Sequence, residues 1–213
     1  MAPAGQPTGD GGFVLGGYSD SPNNGNKTSP NYGGKDFWLV RIDTDGNKLW
    51  DRSYGGTTGY DELISVAPAR AGGVYLGGRS GSGADGNKTS PNFGGFDMGV
   101  VQTDPNGNKL WDQSFGGANH EELDGIQETP DGGLILGGYS YSGATGNKTT
   151  PNYGDADYWL VKVLPRTAPV GTPVVLVNVN YYHQTLTPSP VSITITSSIA
   201  NAHIYYTLDG TEP

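Results

Sequence analysis

Apolar residues in this chain fall in short runs separated by Gly, Asn, Asp and Pro, and no window holds the i, i+3, i+4, i+7 rhythm of a helix over three turns. The runs are rich in β-branched and aromatic residues, which pack well on a half-buried pleated surface. Phe37-Trp38-Leu39-Val40 and Val74-Tyr75-Leu76 are examples. The best-defined stretch predicts four successive strands over 62–68, 73–80, 97–103 and 109–115. Asp43-Thr44-Asp45-Gly46-Asn47 and Asp104-Pro105-Asn106-Gly107-Asn108 read as hairpin turns between the third and fourth strands.

This four-strand pattern repeats. Leu15-Gly16-Gly17-Tyr18-Ser19 returns from Leu76 and again from Leu136; the segment from Gly25 returns from Gly86 and Gly146. Gly46-Asn47-Lys48-Leu49-Trp50-Asp51 returns as 107–112. A shared period of about sixty residues makes each repeat one supersecondary unit. The fold class expected is therefore all-β and β-propeller-like, with three four-stranded antiparallel blades. A solenoid of stacked sheets is the alternative.

Asp10-Gly11-Gly12, Asp36-Phe37-Trp38-Leu39-Val40, Asn47-Lys48-Leu49-Trp50 and Tyr54-Gly55-Gly56 together resemble repeats of large secreted proteins from Bacteroidetes, Verrucomicrobia and relatives. The resemblance covers about 8–164 and implies an extracellular or cell-surface location. The tail, through Val191-Ser192-Ile193-Thr194-Ile195-Thr196 and the segment from Ile204 to Pro213, resembles the C-terminal β-sandwich of chitobiase/β-hexosaminidase-type proteins. That resemblance implies an accessory domain without catalytic residues, present here only in part.

The expected organisation is three units at about 8–56, 57–117 and 118–164, a linker at 165–173, and a sandwich segment at 174–213. The first unit is expected to lack its first strand, and the third its fourth strand. The 174–182 stretch either begins the sandwich or replaces that fourth strand. Met1-Ala2-Pro3-Ala4-Gly5 is not a signal peptide, so a secretion signal is expected outside this sequence. Three blades do not close a ring, and open edges invite pairing. Self-association is expected, most sharply as a homodimer making a six-bladed ring, with strands exchanged between chains.

Composition narrows the partners. A net charge of −9 argues against nucleic acid, and no stretch approaches the length of an apolar membrane helix. The chain has no Cys, which excludes disulfides and thiolate chemistry. Its 36 Gly and 15 Pro together would suggest disorder if unpatterned, but the glycines recur at fixed offsets and so read as turn and close-packing positions.

The long loops after the second and fourth strands are expected on one face, where carboxylates recur. Asp36, Asp97 and Asp157 precede third strands; Asp61-Glu62 and Glu121-Glu122 precede first strands, with His120 beside the latter. Such oxygens suit Ca²⁺, and a His shifts preference toward Zn²⁺ or Mn²⁺. The competing reading has them capping strands and pairing with Lys27, Lys88 and Lys148. Tyr32, Phe93 and Tyr153 are candidates for stacking on sugar, or for packing over their loops. Asp43, Asp45 and Asn47 form only part of a calcium loop.

The repetition favours a non-catalytic extracellular binding or scaffold module of a larger secreted protein, with carbohydrate or a small ester as possible ligand. The alternative is a metal-dependent hydrolase, lactonase- or phosphotriesterase-like by fold analogy. It would use His120 as ligand or base, Glu121 and Asp61 as ligands, and Asp97 and Asp157 as ligands or water-positioning groups.

Overall fold

The structure, a computed structural model, describes residues 4–164 and 177–178. The strands are β1 (Ala4–Pro7), β2 (Phe13–Ser19), β3 (Asp36–Ile42), β4 (Lys48–Tyr54), β5 (Asp61–Pro68), β6 (Val74–Ser80), β7 (Asp97–Thr103), β8 (Lys109–Phe115), β9 (Glu121–Glu128), β10 (Leu134–Ser140), β11 (Asp157–Val163) and β12 (Val177–Asn178). Every regular element among the described residues is a strand, and no helix there is long and apolar enough to cross a membrane. The strands form three antiparallel sheets, each an up-and-down meander: β1 to β4, β5 to β8, and β9 to β11 with β12 at its edge.

Two expectations about the ends need revision. The first unit does have a first strand: β1 pairs with β2 in the register Ala4↔Gly16 to Pro7↔Phe13. Antiparallel pairing is made by backbone groups, so the weakly apolar Ala-Gly-Gln-Pro run suffices once a tight turn aims it. The turn is held by Thr8 N–H donating to the Gly12 carbonyl and Gly11 N–H to the Thr8 carbonyl, with Gly11 at φ 87°. The third unit repeats it with Thr129, Gly132 and Gly133. At the other end, β12 pairs with β11 through Val161↔Asn178 and Lys162↔Val177. This is the edge that β4 and β8 occupy in the other sheets. The remaining tail expectations, the linker and the sandwich segment, lie outside the described residues.

The core lies between sheets. Val14, Phe37, Leu39 and Tyr54 of the first sheet meet Leu63, Val66, Val74, Leu76 and Val101 of the second. Tyr75, Met98, Val100 and Phe115 of the second meet Leu123, Ile126, Leu134, Leu136, Trp159 and Val161 of the third. Alternating side chains therefore make both faces of the middle sheet apolar. The glycine pair of the second strand sets the spacing. A Cβ on Gly16 would stand 2.5 Å from Val66 Cγ2, and one on Gly77 would stand 2.9 Å from Leu123 Cδ2. Only glycine admits the next sheet's first strand so closely. Leu49 and Leu110 stay exposed, at the bulges where β4 and β8 slip against their partners.

Candidate functional site

The long loops after β2, β6 and β10 gather at one end of the sheets, as expected; the connections β4–β5 and β8–β9 join them there but are short, not long as expected. They interlock across units. Asn87 accepts from Gly55 N–H (2.9 Å) and donates to the Ser53 carbonyl (2.9 Å); Asn147 does the same with Gly116 N–H (2.8 Å) and the Ser114 carbonyl (2.8 Å). Each sheet is thereby stapled to the one before it.

The recurrent Asn-Lys-Thr motif is explained by its own loop. Lys27 gives its ammonium to the carbonyls of Ser29 (2.8 Å) and Pro30 (3.0 Å). Lys88 bonds the carbonyls of Ser82 (2.9 Å) and Ser90 (2.7 Å), and Lys148 that of Thr150 (2.7 Å). The lysines thus organise carbonyls instead of forming the carboxylate pairs expected of them. Burial pushes all three ammonium groups below the usual lysine range, although nearby carboxylates oppose it.

A second recurrent acid was not singled out in the sequence: the Asp after Trp50 and Trp111. Asp51 accepts from Thr28 N–H, from Ser29 N–H (2.9 Å) and Oγ (2.8 Å), from Trp38 Nε1 (3.0 Å) and from Lys48 (2.8 Å). Asp112 takes Thr89 N–H (3.0 Å), Ser90 N–H (2.6 Å) and Lys109. Burial would raise both carboxyls, but these donors outweigh it. Asp112 is held at about 2 and Asp51 lower still. The signal was present, since the Trp-Asp pair recurs with the loop it ties down.

The predicted ligand acids are split between two junctions. Asp36 and Asp61 flank Gly55, where a Cβ would lie 2.0 Å from Asp36 Oδ1 and 2.8 Å from Asp61 Oδ2. Asp97 and Glu121 flank Gly116 in the same way, at 2.0 and 2.6 Å. Each acid has structural donors: Tyr32 N–H for Asp36 (2.6 Å), Phe93 N–H for Asp97 (2.8 Å), Gly56 N–H (3.0 Å) and Ser82 Oγ (2.7 Å) for Asp61, and Gly117 N–H (2.8 Å) and Ser140 Oγ (2.6 Å) for Glu121. Asp157 takes Tyr153 N–H (2.7 Å). Asp36 Oδ1, Asp61 Oδ1 and Asp97 Oδ1 are buried without a hydrogen-bond partner. Burial first, and then the facing acid, raises Asp36 and Asp97 to about 6. Among the described residues no three His, Cys, Asp or Glu side chains stand together as a metal site. The acids do not converge on one centre, because each junction takes one acid from each of the two units that meet there.

Asp43 and Asp104 close their hairpins, accepting from Asn47 N–H (2.8 Å) and Asn108 N–H (2.8 Å). Tyr32, Phe93 and Tyr153 sit in their loops with backbone N–H groups turned to the acids, and Phe93 packs against Gly146 of the next loop.

His120 contacts Glu122 (Nε2 to Oε1, 2.7 Å) and not Glu121. It ends a chain of polar side chains that joins all three units. Lys35 bonds Glu62 (2.6 Å), Glu62 bonds Arg79 (2.7 Å), and Arg79 bonds Glu122. Lys35 and Arg79 outweigh burial and hold the Glu62 carboxyl below its usual range. Aromatic rings border the chain. Lys35 lies over Tyr18 (4.8 Å) and Tyr60 (5.4 Å), and Arg79 over Phe96 (4.8 Å). His120 meets Phe96 and Tyr141 edge-on, and Tyr141 meets Tyr139. Several of these residues occupy positions where the units differ: 18, 79 and 139 hold Tyr, Arg and Tyr, and 35, 96 and 156 hold Lys, Phe and Ala.

No protein-family model matches this sequence, and no curated protein matches it.

Proposed function

We propose that this chain is a non-catalytic, extracellular binding and scaffold module of propeller-like architecture, whose ligand lies along the strip from Tyr18 to Tyr141. The observation that carries this reading is the polar chain Lys35–Glu62–Arg79–Glu122–His120, which joins three units and holds partly exposed rings at fixed positions. A rigid row of rings with fixed polar groups between them suits a carbohydrate chain better than a single reacting bond. The acids first considered as metal ligands have structural work, which supports the same reading. Two copies completing a six-bladed ring fit the scaffold part of it.

The test is affinity electrophoresis through a panel of neutral and acidic polysaccharides. Retardation that is lost in Tyr60→Ala and Arg79→Ala is expected. No retardation on any polysaccharide removes the carbohydrate reading.

The second reading, a metal-dependent ester or phosphotriester hydrolase, rests on the His120–Glu122 contact, an imidazole oriented by a carboxylate. Turnover of an activated ester that disappears with chelator and in His120→Ala would establish it in place of the first.

A further inference from the structure

The two end faces of the stack are the two halves of a junction that the chain already makes twice. In sheet one, Phe37 and Leu39 face the second sheet and are 3% and 0% exposed. Their counterparts in sheet two, Met98 and Val100, face the third sheet and are 0% and 1% exposed. The counterparts in sheet three, Tyr158 and Leu160, point outward and are 91% and 39% exposed. The strand registers Ser19↔Asp36, Ser80↔Asp97 and Ser140↔Asp157 fix this correspondence. Gly137 tells the same story. Its counterparts Gly16 and Gly77 are filled by Val66 with Leu63, and by Leu123 with Ile126, whereas Gly137 meets only Leu160 of its own sheet.

The opposite end carries the matching half. Leu15 and Phe13 stand where the buried Leu76 and Val74, and Leu136 and Leu134, stand in the other sheets, yet are 36% and 44% exposed. Asn26 is exposed there too, and it is the counterpart of Asn87 and Asn147, the residues that staple each sheet to its predecessor.

We propose that a second copy of this chain docks head to tail, its Phe13 and Leu15 face covering the Gly137, Tyr158 and Leu160 face. The occupant is a second copy because the two interior junctions show which surface covers each half. The proposal deepens the scaffold reading and rests on it only for ring closure, not for the docking itself. One position is lighter than in the interior: Gly5, opposite Leu15, stands where Val66 stands opposite Leu76. A side chain there meets only Leu15 Cδ2 at 3.3 Å and Val14 O at 3.8 Å, so Gly5→Val supplies the missing contact.

A heterologous contact differs from a face pairing with itself in a way that mixing reveals. Mass is measured by light scattering over a concentration series, using the full 22.3 kDa chain. Leu160→Asp and Leu15→Asp change exposed positions on opposite ends, and Leu49→Asp on β4 is the control. Wild type and control are expected to associate, and each end variant alone to remain a single chain. An equal mixture of the two end variants is expected to form a one-to-one pair through its intact halves. Gly5→Val shifts association to a roughly tenfold lower concentration, the scale of one aliphatic side chain.

Wild type that stays a single chain at every concentration overturns the proposal. So does association that survives both end substitutions, or that only Leu160→Asp abolishes, since the latter means pairing through one face. A stable two-chain mass agrees with the ring. A mass that keeps rising with concentration supports the junction and removes the ring.

Discussion

Phe37 and Tyr158 occupy the same position in the first and third units, and both are aromatic. One is buried against the second sheet; the other is almost wholly exposed. The strand and its register against the second strand are the same, so the difference lies in whether a further sheet lies over the face. Hydrophobic stabilisation depends on area removed from water, and a residue type does not possess it in isolation. Equivalent positions in these units should therefore differ sharply in their response to substitution.

The largest contrast lies between the interior and the end of the stack. Leu39→Ala removes a fully buried side chain from the first junction and should cost about 3 kcal/mol of unfolding free energy. Leu160→Ala, at the equivalent position in the third sheet, should cost under about 1 kcal/mol in the single chain. Urea unfolding of both variants checks this, and equal losses would show that the outer face is covered in solution.

The second contrast concerns two glycines of recurrent motifs that differ in what surrounds them. Gly55→Ala drives a methyl group into the Asp36 and Asp61 carboxylates and should cost about 2 kcal/mol or more. Gly17→Ala meets nothing within 4 Å and should cost little. Thermal melting of the pair separates these outcomes, and a tolerated Gly55→Ala would mean that the acids move apart readily.

The third contrast sets the two classes of buried acid against each other by pH. Asp36 and Asp97 titrate at about 6 in the folded chain, above the ordinary 3.8. The folded state therefore keeps protons that the unfolded state releases, and their contribution falls as pH rises from about 4 to about 6. Asp112 titrates at about 2, so its contribution is present above about 4 and fades as pH falls toward 2. Asp36→Asn should flatten the loss between pH 4 and 6 by on the order of 2 kcal/mol. Unfolding free energies at pH 4.5 and 7 test this, and an unchanged slope would show that Asp36 is ionised in the fold.

The smallest effect is expected on the surface strip. Arg79→Ala breaks the partly exposed network at its link between the second and third sheets and should cost about 1 kcal/mol or less, most visibly at low salt. A loss independent of salt would point to packing on Phe96 as its main contribution.

Much of this architecture was legible in the sequence. The boundaries 97–103 and 109–115 agree with β7 and β8, because alternating apolar residues between Gly-rich turns leave little freedom. β1 was missed because Ala-Gly-Gln-Pro has no strand-like pattern; its signal was the Thr8 to Gly12 turn, which repeats 129–133. The acids were found, but their grouping was not. A list of recurrent Asp and Glu gives no distances between units, and the structure pairs Asp36 with Asp61 and Asp97 with Glu121. Asp51 and Asp112 were passed over because a polar residue inside a strand looks exposed until its loop is seen to fold over it. In the sequence His120 stands beside Glu121, yet side chains two apart in extended chain share a face, and from just before β9 the imidazole reaches Glu122 instead.

The sequence by itself determined the repeat, the strands other than β1, the hairpin turns between third and fourth strands and the all-β class, since these depend on local backbone preference and short-range periodicity. Tertiary structure alone decided which acids face each other, which lysines serve carbonyls, and which of three equivalent apolar faces are buried. Those outcomes depend on the approach of one sheet to the next. That approach is set by glycines at Gly16 and Gly77 acting on side chains some fifty residues away in the sequence.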